Sequence, residues 1–150
     1  MLDLIKKYPK KRGILPKPIK KIFDNLYLDN RQNFLSQLSE RWLHISIENK
    51  TEKNKTLEIG AGTLNHLKYE INKHYDIIEP KKFLYQKSKY KKLINNSFKN
   101  INQTKNNYYD RIISCAVLEH VTDLPEYLYI SSLKIKKNGY QQHSIPCEGY

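Results

Sequence analysis

The 150-residue chain is poor in cysteine, arginine and glycine. Two cysteines, Cys115 and Cys147, can build neither a disulfide framework nor a four-ligand zinc site, so reduced thiols and no metal centre are expected. Only four arginines, Arg12, Arg31, Arg41 and Arg111, stand among the 27 basic residues. Arginine's planar fork is the group that reads phosphates and guanines bidentately. Its scarcity argues against nucleic acid as the partner, despite a formal net charge of +12 and a pI of about 9.6. The charge comes from lysine, in a chain that is also rich in asparagine, isoleucine and tyrosine. Such a composition follows A/T-rich codons and raises the pI with no partner involved. No run approaches the roughly eighteen apolar residues of a membrane span, and Met1-Leu-Asp-Leu-Ile5 is too short for a signal-peptide core. A cytoplasmic protein without a membrane span is expected. Hydrophobic residues make up 39% and occur throughout, enough for one core in a chain with room for one ordinary domain.

Residues 1 to 50 read as a basic arm followed by a helical cap. In the first 21 residues, lysines and Arg12 are broken by Pro9, Pro16 and Pro18, which forbids one continuous helix. Such a lead-in is a solvated tail or a contact for an anionic partner. Further on, Phe34, Leu35, Leu38 and Trp42 follow the three-to-four spacing of an amphipathic helix, expected to pack on the domain that follows. In residues 51 to 150, short apolar runs at Leu57 to Ile59, Tyr75 to Ile78, Arg111 to Ala116 and Tyr140 to Ile145 alternate with longer helical patterns. That alternation predicts an α/β fold with a mostly parallel sheet.

The strongest chemical signal is Leu57-Glu58-Ile59-Gly60-Ala61-Gly62-Thr63-Leu64, a strand running into a glycine-rich turn and then a helix. Gly60 and Gly62 let the backbone turn sharply and approach a ligand. A second strand, Tyr75-Asp-Ile-Ile-Glu79-Pro80, ends in a carboxylate placed to accept from both hydroxyls of a ribose. Together they point to a cofactor that contains a nucleoside. A dinucleotide site would call for a third glycine where Asn65 stands.

Glu58-Ile-Gly-Ala-Gly62 with Glu79 resembles the first two motifs of class I S-adenosylmethionine-dependent methyltransferases. Tyr109-Asp-Arg-Ile-Ile-Ser-Cys-Ala-Val-Leu-Glu119-His120-Val resembles the fourth strand and following turn of their small-molecule branch (methyltransferase type 11/12-like). Leu133-Lys-Ile-Lys-Lys-Asn-Gly139-Tyr resembles its L-K-P-G-G turn, and Ser144-Ile-Pro146-Cys-Glu148-Gly149 the exit from its fifth strand. The resemblance covers about residues 56 to 150. It implies a Rossmann-like doubly wound sheet with strands in the order 3-2-1-4-5, lacking the last two strands of the family and so C-terminally truncated, under an N-terminal cap. It implies S-adenosylmethionine as cofactor, with Glu58 near the methionine amino group, Gly60, Ala61 and Gly62 against the cofactor, and Glu79 on the ribose. Cys115 and Ala116 would face the methionine end. The acid that family members often place against the adenine amino group is absent, leaving Asn96 or Ser97 for that contact.

The implied reaction is methyl transfer to a small-molecule acceptor, of which a sugar or surface-polysaccharide precursor is one type. Glu119, His120 and His143 are the candidate general bases. Each has a plainer reading: helix capping and surface packing for Glu119 and His120, a hydrogen-bonded structural residue for His143. The open edge of strand five offers a route to self-association. Two further readings stand beside the enzyme: a cofactor-binding remnant or non-catalytic partner, and a basic nucleic-acid-binding protein. Against a base methyltransferase, the strand-four exit reads Ser114-Cys-Ala-Val rather than N-P-P-Y.

Overall fold

The structure is a computed structural model that describes residues 17–49, 51–71 and 73–146. Most of the basic arm and the Cys147-Glu148-Gly149 end of the fifth-strand motif lie outside those residues. The chain divides into two compact units between Gln37 and Leu38, ahead of the boundary at residue 50 expected from the sequence.

The first unit holds helix α1 (Lys17–Gln32) and the start of α2 (Phe34–Ile45). Asn33 separates the helices, and its Oδ1 accepts the Leu35 amide at 3.1 Å, the bond by which an N-cap side chain satisfies an orphan donor. The second unit contains a five-stranded sheet: β1 (Lys55–Ile59), β2 (His74–Ile78), β3 (Asn96–Phe98), β4 (Tyr109–Cys115) and β5 (Ile135–Ser144). The spatial order is β3-β2-β1-β4-β5 and every pairing is parallel, the Rossmann-like order expected.

Connections differ from the expected long helices. Among the described residues, 3₁₀ turns such as Asn65–Tyr69 join the first four strands, and α3 (Leu124–Ser132) is the one α-helix between strands. Asp123 caps α3 by accepting the Glu126 amide at 3.0 Å, and Pro125 sits in its first turn. The β5 strand starts earlier than Tyr140 because the segment resembling L-K-P-G-G is a bulge within it. Ile135 pairs with Tyr109 and Tyr140 with Arg111, so the residues between loop out, Asn138 at φ 71°. Gly139 closes that bulge: a Cβ there would lie 2.3 Å from Ile135 Cγ2 and 2.9 Å from the Asp110 carbonyl.

Alternation along the strands sends Leu57, Ile59, Ile78 and Ile112 into one core cluster and Tyr75, Ile77 and Ile113 into another. The second cluster takes in Ile47. Within the second unit Leu38 and Trp42 of the amphipathic stripe are exposed, Trp42 by 77%, while His44, Ile47 and Asn49 are buried. Periodicity finds the amphipathic stripe but says nothing about which side a neighbour covers, and here tertiary contacts select the downstream residues.

Candidate functional site

The carboxyl ends of the strands are tied together one residue past the sheet. The Gly60 amide donates to the Ile78 carbonyl at 2.8 Å, the Glu79 amide to Phe98 at 2.9 Å and the Ala116 amide to Ser144 at 2.9 Å. Three of the four ladders therefore reach the loop layer, where an open α/β sheet places its ligands.

The glycine turn leaves β1 through a series of left-handed residues. Gly60 has φ 71°, Gly62 φ 52° and Leu64 φ 66°. At Leu64, a fully buried core residue, packing overrides the steric preference of an L side chain. The two glycines serve different purposes. A Cβ on Gly60 would lie 2.5 Å from Val117 Cγ2, so this glycine lets the exits of β1 and β4 meet. A Cβ on Gly62 would find only the Gly60 carbonyl at 3.9 Å, which leaves open space against the backbone. Glu79 closes the turn from the next strand: Oε2 accepts the Gly62 amide at 3.0 Å and Oε1 the Lys81 amide at 2.9 Å. Each carboxylate oxygen keeps lone-pair capacity for a further donor. Beside it, at the ends of β2 and β3, opens a pocket of about 160 Å³ lined by Glu79, Lys82, Tyr85, Ser97, Phe98 and Lys99.

Glu58 sits deeper. It is 2% exposed, accepts the Tyr75 hydroxyl at 3.0 Å, and burial raises its carboxyl to about 8. Burial and the adjacent Glu58 likewise push the Tyr75 phenol up. Near pH 7 Glu58 is therefore mostly a neutral acid inside the sheet. The same face carries a buried ionic cluster. Arg111 Nη1 donates to both Glu70 carboxylate oxygens, at 2.9 and 3.0 Å, and Nη2 to the Ile47 carbonyl. His66 Nε2 meets Glu70 Oε1 at 2.6 Å, and its Nδ1 meets His44 Nδ1 at 3.3 Å. Arg111 thus braces β4 against the segment that follows the glycine turn.

The two candidates for the adenine contact separate. Asn96 donates its amide and its Nδ2 to Asp76 Oδ1, at 3.0 and 2.9 Å, and Asn95 Oδ1 accepts the Tyr75 amide, so both asparagines hold β3 on β2. Ser97 lines the pocket. Lys82, Tyr85, Phe98 and Lys99 join it there, and no motif singles them out; the signal available was their position at the ends of β2 and β3.

Glu119 and His120 lie in a 3₁₀ turn (Leu118–His120) instead of opening a helix, 4.0 Å apart, with His120 turned to solvent. His143 is in β5, where Nδ1 meets Ser114 Oγ at 2.8 Å and Nε2 meets Gln141 Oε1 at 3.0 Å. Gln141 Oε1 also accepts the Ser131 hydroxyl at 2.8 Å, so the imidazole is part of a network joining β4, β5 and α3. Burial lowers its proton affinity. Cys115 ends β4 half-buried, and Ala116 follows it at φ 54°. Among the described residues no group of three or more potential ligands could hold a metal ion, and no helix is long and apolar enough to cross a membrane.

No protein-family model and no curated protein matches the sequence. The fold does have solved counterparts. A Methanococcus maripaludis protein assigned as an S-adenosyl-L-methionine-dependent methyltransferase superposes with a TM-score of 0.60 at 13% identity, over 80% of this chain and 60% of its own. A complex of the Haloferax volcanii Trm112 methyltransferase activator with its methyltransferase gives 0.61 at 10% identity, over 79% and 59%. The trans-methyltransferase CalH, solved with SAH, gives 0.53 at 18% identity, over 76% and 40%. At these identities the likeness establishes the fold, and the chain spans 40 to 60% of the lengths of these proteins.

Proposed function

We propose that the chain binds S-adenosylmethionine at the exits of β1, β2 and β3 and serves methyl transfer to a small-molecule acceptor. The observation that carries this reading is the Glu79 carboxylate, held by the Gly62 and Lys81 amides at the mouth of a pocket of about 160 Å³. The residues fit such a group. Glu79 would accept from the ribose hydroxyls, the open backbone at Gly62 would admit the chain beyond the ribose, and Ser97 and Phe98 would border the base. Cys115 and Ala116, at the exit of β4, would border the methionine end. When bound, the cofactor supplies an activated methyl group on a good leaving group, so the protein's contribution is proximity and alignment. The meeting of Gly60 and Val117 fixes the spacing between the cofactor side and the acceptor side.

A second reading, cofactor binding without transfer, is favoured by the exposure of His120 and the engagement of His143 with Ser114 and Gln141. A small-molecule acceptor is preferred over a nucleic acid base because the β4 exit reads Ser114-Cys115-Ala116-Val117.

Calorimetric titration of the full chain with S-adenosylmethionine and S-adenosylhomocysteine tests the reading. Binding is expected to weaken by about two orders of magnitude in Glu79→Ala, the loss of two hydrogen bonds to a charged acceptor. A folded chain that binds neither ligand would refute it. Binding without methyl release to any acceptor pool would favour the second reading.

A further inference from the structure

The net charge of +12 is not spread evenly along the chain. Residues 80–109, the connection that leaves β2, forms β3 and reaches β4, contain eight lysines and no aspartate, glutamate or arginine. Residues 1–21 carry a further +7, and the remaining 99 residues hold 11 basic against 14 acidic side chains. A/T-rich codons raise lysine everywhere alike, so they account for the amount of lysine and not for its segregation. Six of the eight lysines sit on one run of tight turns. The amides of Leu84, Gln86, Ser88, Lys91 and Leu93 donate to carbonyls three or four residues back, at 2.9–3.1 Å. Leu84 and Tyr85 are buried, and Tyr90 and Ile94 pack on the core cluster that holds Tyr75 and Ile77. The inner side of the run is thereby fixed, while Lys81, Lys82, Lys87, Lys89, Lys91 and Lys92 are all exposed. Among the described residues none of the six is ion-paired with a carboxylate. The run leads into β3, the edge strand, so these ammonium groups border the open edge of the sheet.

We propose that this lysine-lined edge is a docking surface for the phosphate backbone of a double-stranded nucleic acid, held without reading its sequence. Lysine neutralises phosphate as a point charge, whereas bidentate base recognition uses arginine, which the connection lacks. The scarcity of arginine therefore weighs against base reading and leaves backbone binding open. The rest of the surface selects among anionic partners. Leu93 is the one large hydrophobic residue exposed in residues 80–109, and every aromatic ring there is buried or half-buried. A protein partner calls for an apolar or aromatic interface core, a bilayer for an apolar face to insert, and a single strand for exposed rings to stack on. A phosphate backbone needs none of these, and exposed amides such as Asn100 and Asn102 suit its phosphate and sugar oxygens. Of the six lysines on the turns only Lys82 lines the pocket beside Glu79, so the surface does not depend on what that pocket binds.

The test is fluorescence anisotropy of the full chain with labelled DNA and RNA duplexes of two unrelated sequences, at salt concentrations from about 50 to 200 mM. The expected result is similar affinity for both sequences, with log affinity falling against log salt at a slope of about −4. Lys87→Gln, Lys89→Gln, Lys91→Gln and Lys92→Gln combined should weaken binding about tenfold and flatten the slope by about two to three, because each phosphate contact contributes roughly −0.9. The urea midpoint should not move, since all four side chains are exposed. Lys6→Gln, Lys7→Gln, Lys10→Gln and Lys11→Gln combined remove the same charge from the arm and should cost less. The proposal is overturned by a wild-type chain that binds neither duplex, by an edge variant that binds as tightly as the arm variant, or by a tenfold preference between the two sequences. Poly-L-glutamate competing as well as unlabelled duplex would overturn it too, and would assign the edge to an acidic protein.

Discussion

The two halves of the strand-exit layer are built in opposite ways. At the exits of β1 and β2 the ionisable groups are anchored by backbone or buried: Glu79 holds two amides, Glu58 is enclosed with Tyr75, and Arg111 clamps Glu70 beneath them. At the exits of β4 and β5, His120 lies in solvent and His143 is held in a network with Ser114 and Gln141. Preorganised groups cost no reorganisation when a ligand arrives. The contrast teaches that the β1 and β2 exits hold their ionisable groups in fixed hydrogen-bonded positions, whereas among the described residues His120 beyond β4 is left to solvent and His143 is held within the sheet.

The largest effect should come from the foundation of the first half. Arg111 is fully buried, and Arg111→Met would leave the Glu70 carboxylate buried without its bidentate partner. A loss of about 3–5 kcal/mol is expected in urea denaturation. If Arg111→Met unfolds at the wild-type midpoint, the cluster is not the brace described here, and the contrast between the halves loses its structural basis.

Next in size is a pH effect confined to the same half. Glu58 keeps its proton up to about pH 8 in the folded chain, against an ordinary value of 4.5. Between those two values the folded protein holds a proton that the unfolded chain has released. Its stabilising contribution is thus complete below about pH 4.5 and disappears as pH rises through 8, with a slope of at most about 1.4 kcal/mol per pH unit. Glu58→Gln should flatten that part of the stability profile measured by chemical denaturation from pH 5 to 8. An unchanged slope would place the titrating group elsewhere.

The smallest effect is expected in the second half. His143→Gln should cost no more than about 1.5 kcal/mol, the scale of a hydrogen bond lost from a half-buried network. Ligand affinity in calorimetry should stay within twofold of the wild type. A large loss of affinity would show that the β5 imidazole reaches the ligand, and would bring the second half into the binding site.

Much of the fold was legible because parallel strands buried on both faces show as short apolar runs, and the glycine turn between them restricts where the first strand ends. The strand order, the glycine turn and Glu79 at the end of β2 follow the sequence reading. The connections did not, since helical periodicity in a short segment cannot distinguish an α-helix from the single 3₁₀ turn that packing permits at Asn65–Tyr69. The β5 strand was read too short because its bulge carries Lys136, Lys137, Asn138 and Gly139, residues that signal a turn in any local reading.

Within the site, the sequence alone determined where the backbone can turn and which carboxylate ends the neighbouring strand, because glycine conformation and strand alternation are local properties. Only the tertiary structure decided that Asn96 turns to Asp76 while Ser97 borders the pocket, that Arg111 pairs with Glu70, and that His143 is held by Ser114. Each of those choices is a contact between segments distant in the chain. Its energy depends on which buried polar group must find a partner, and no local pattern of residues carries that information.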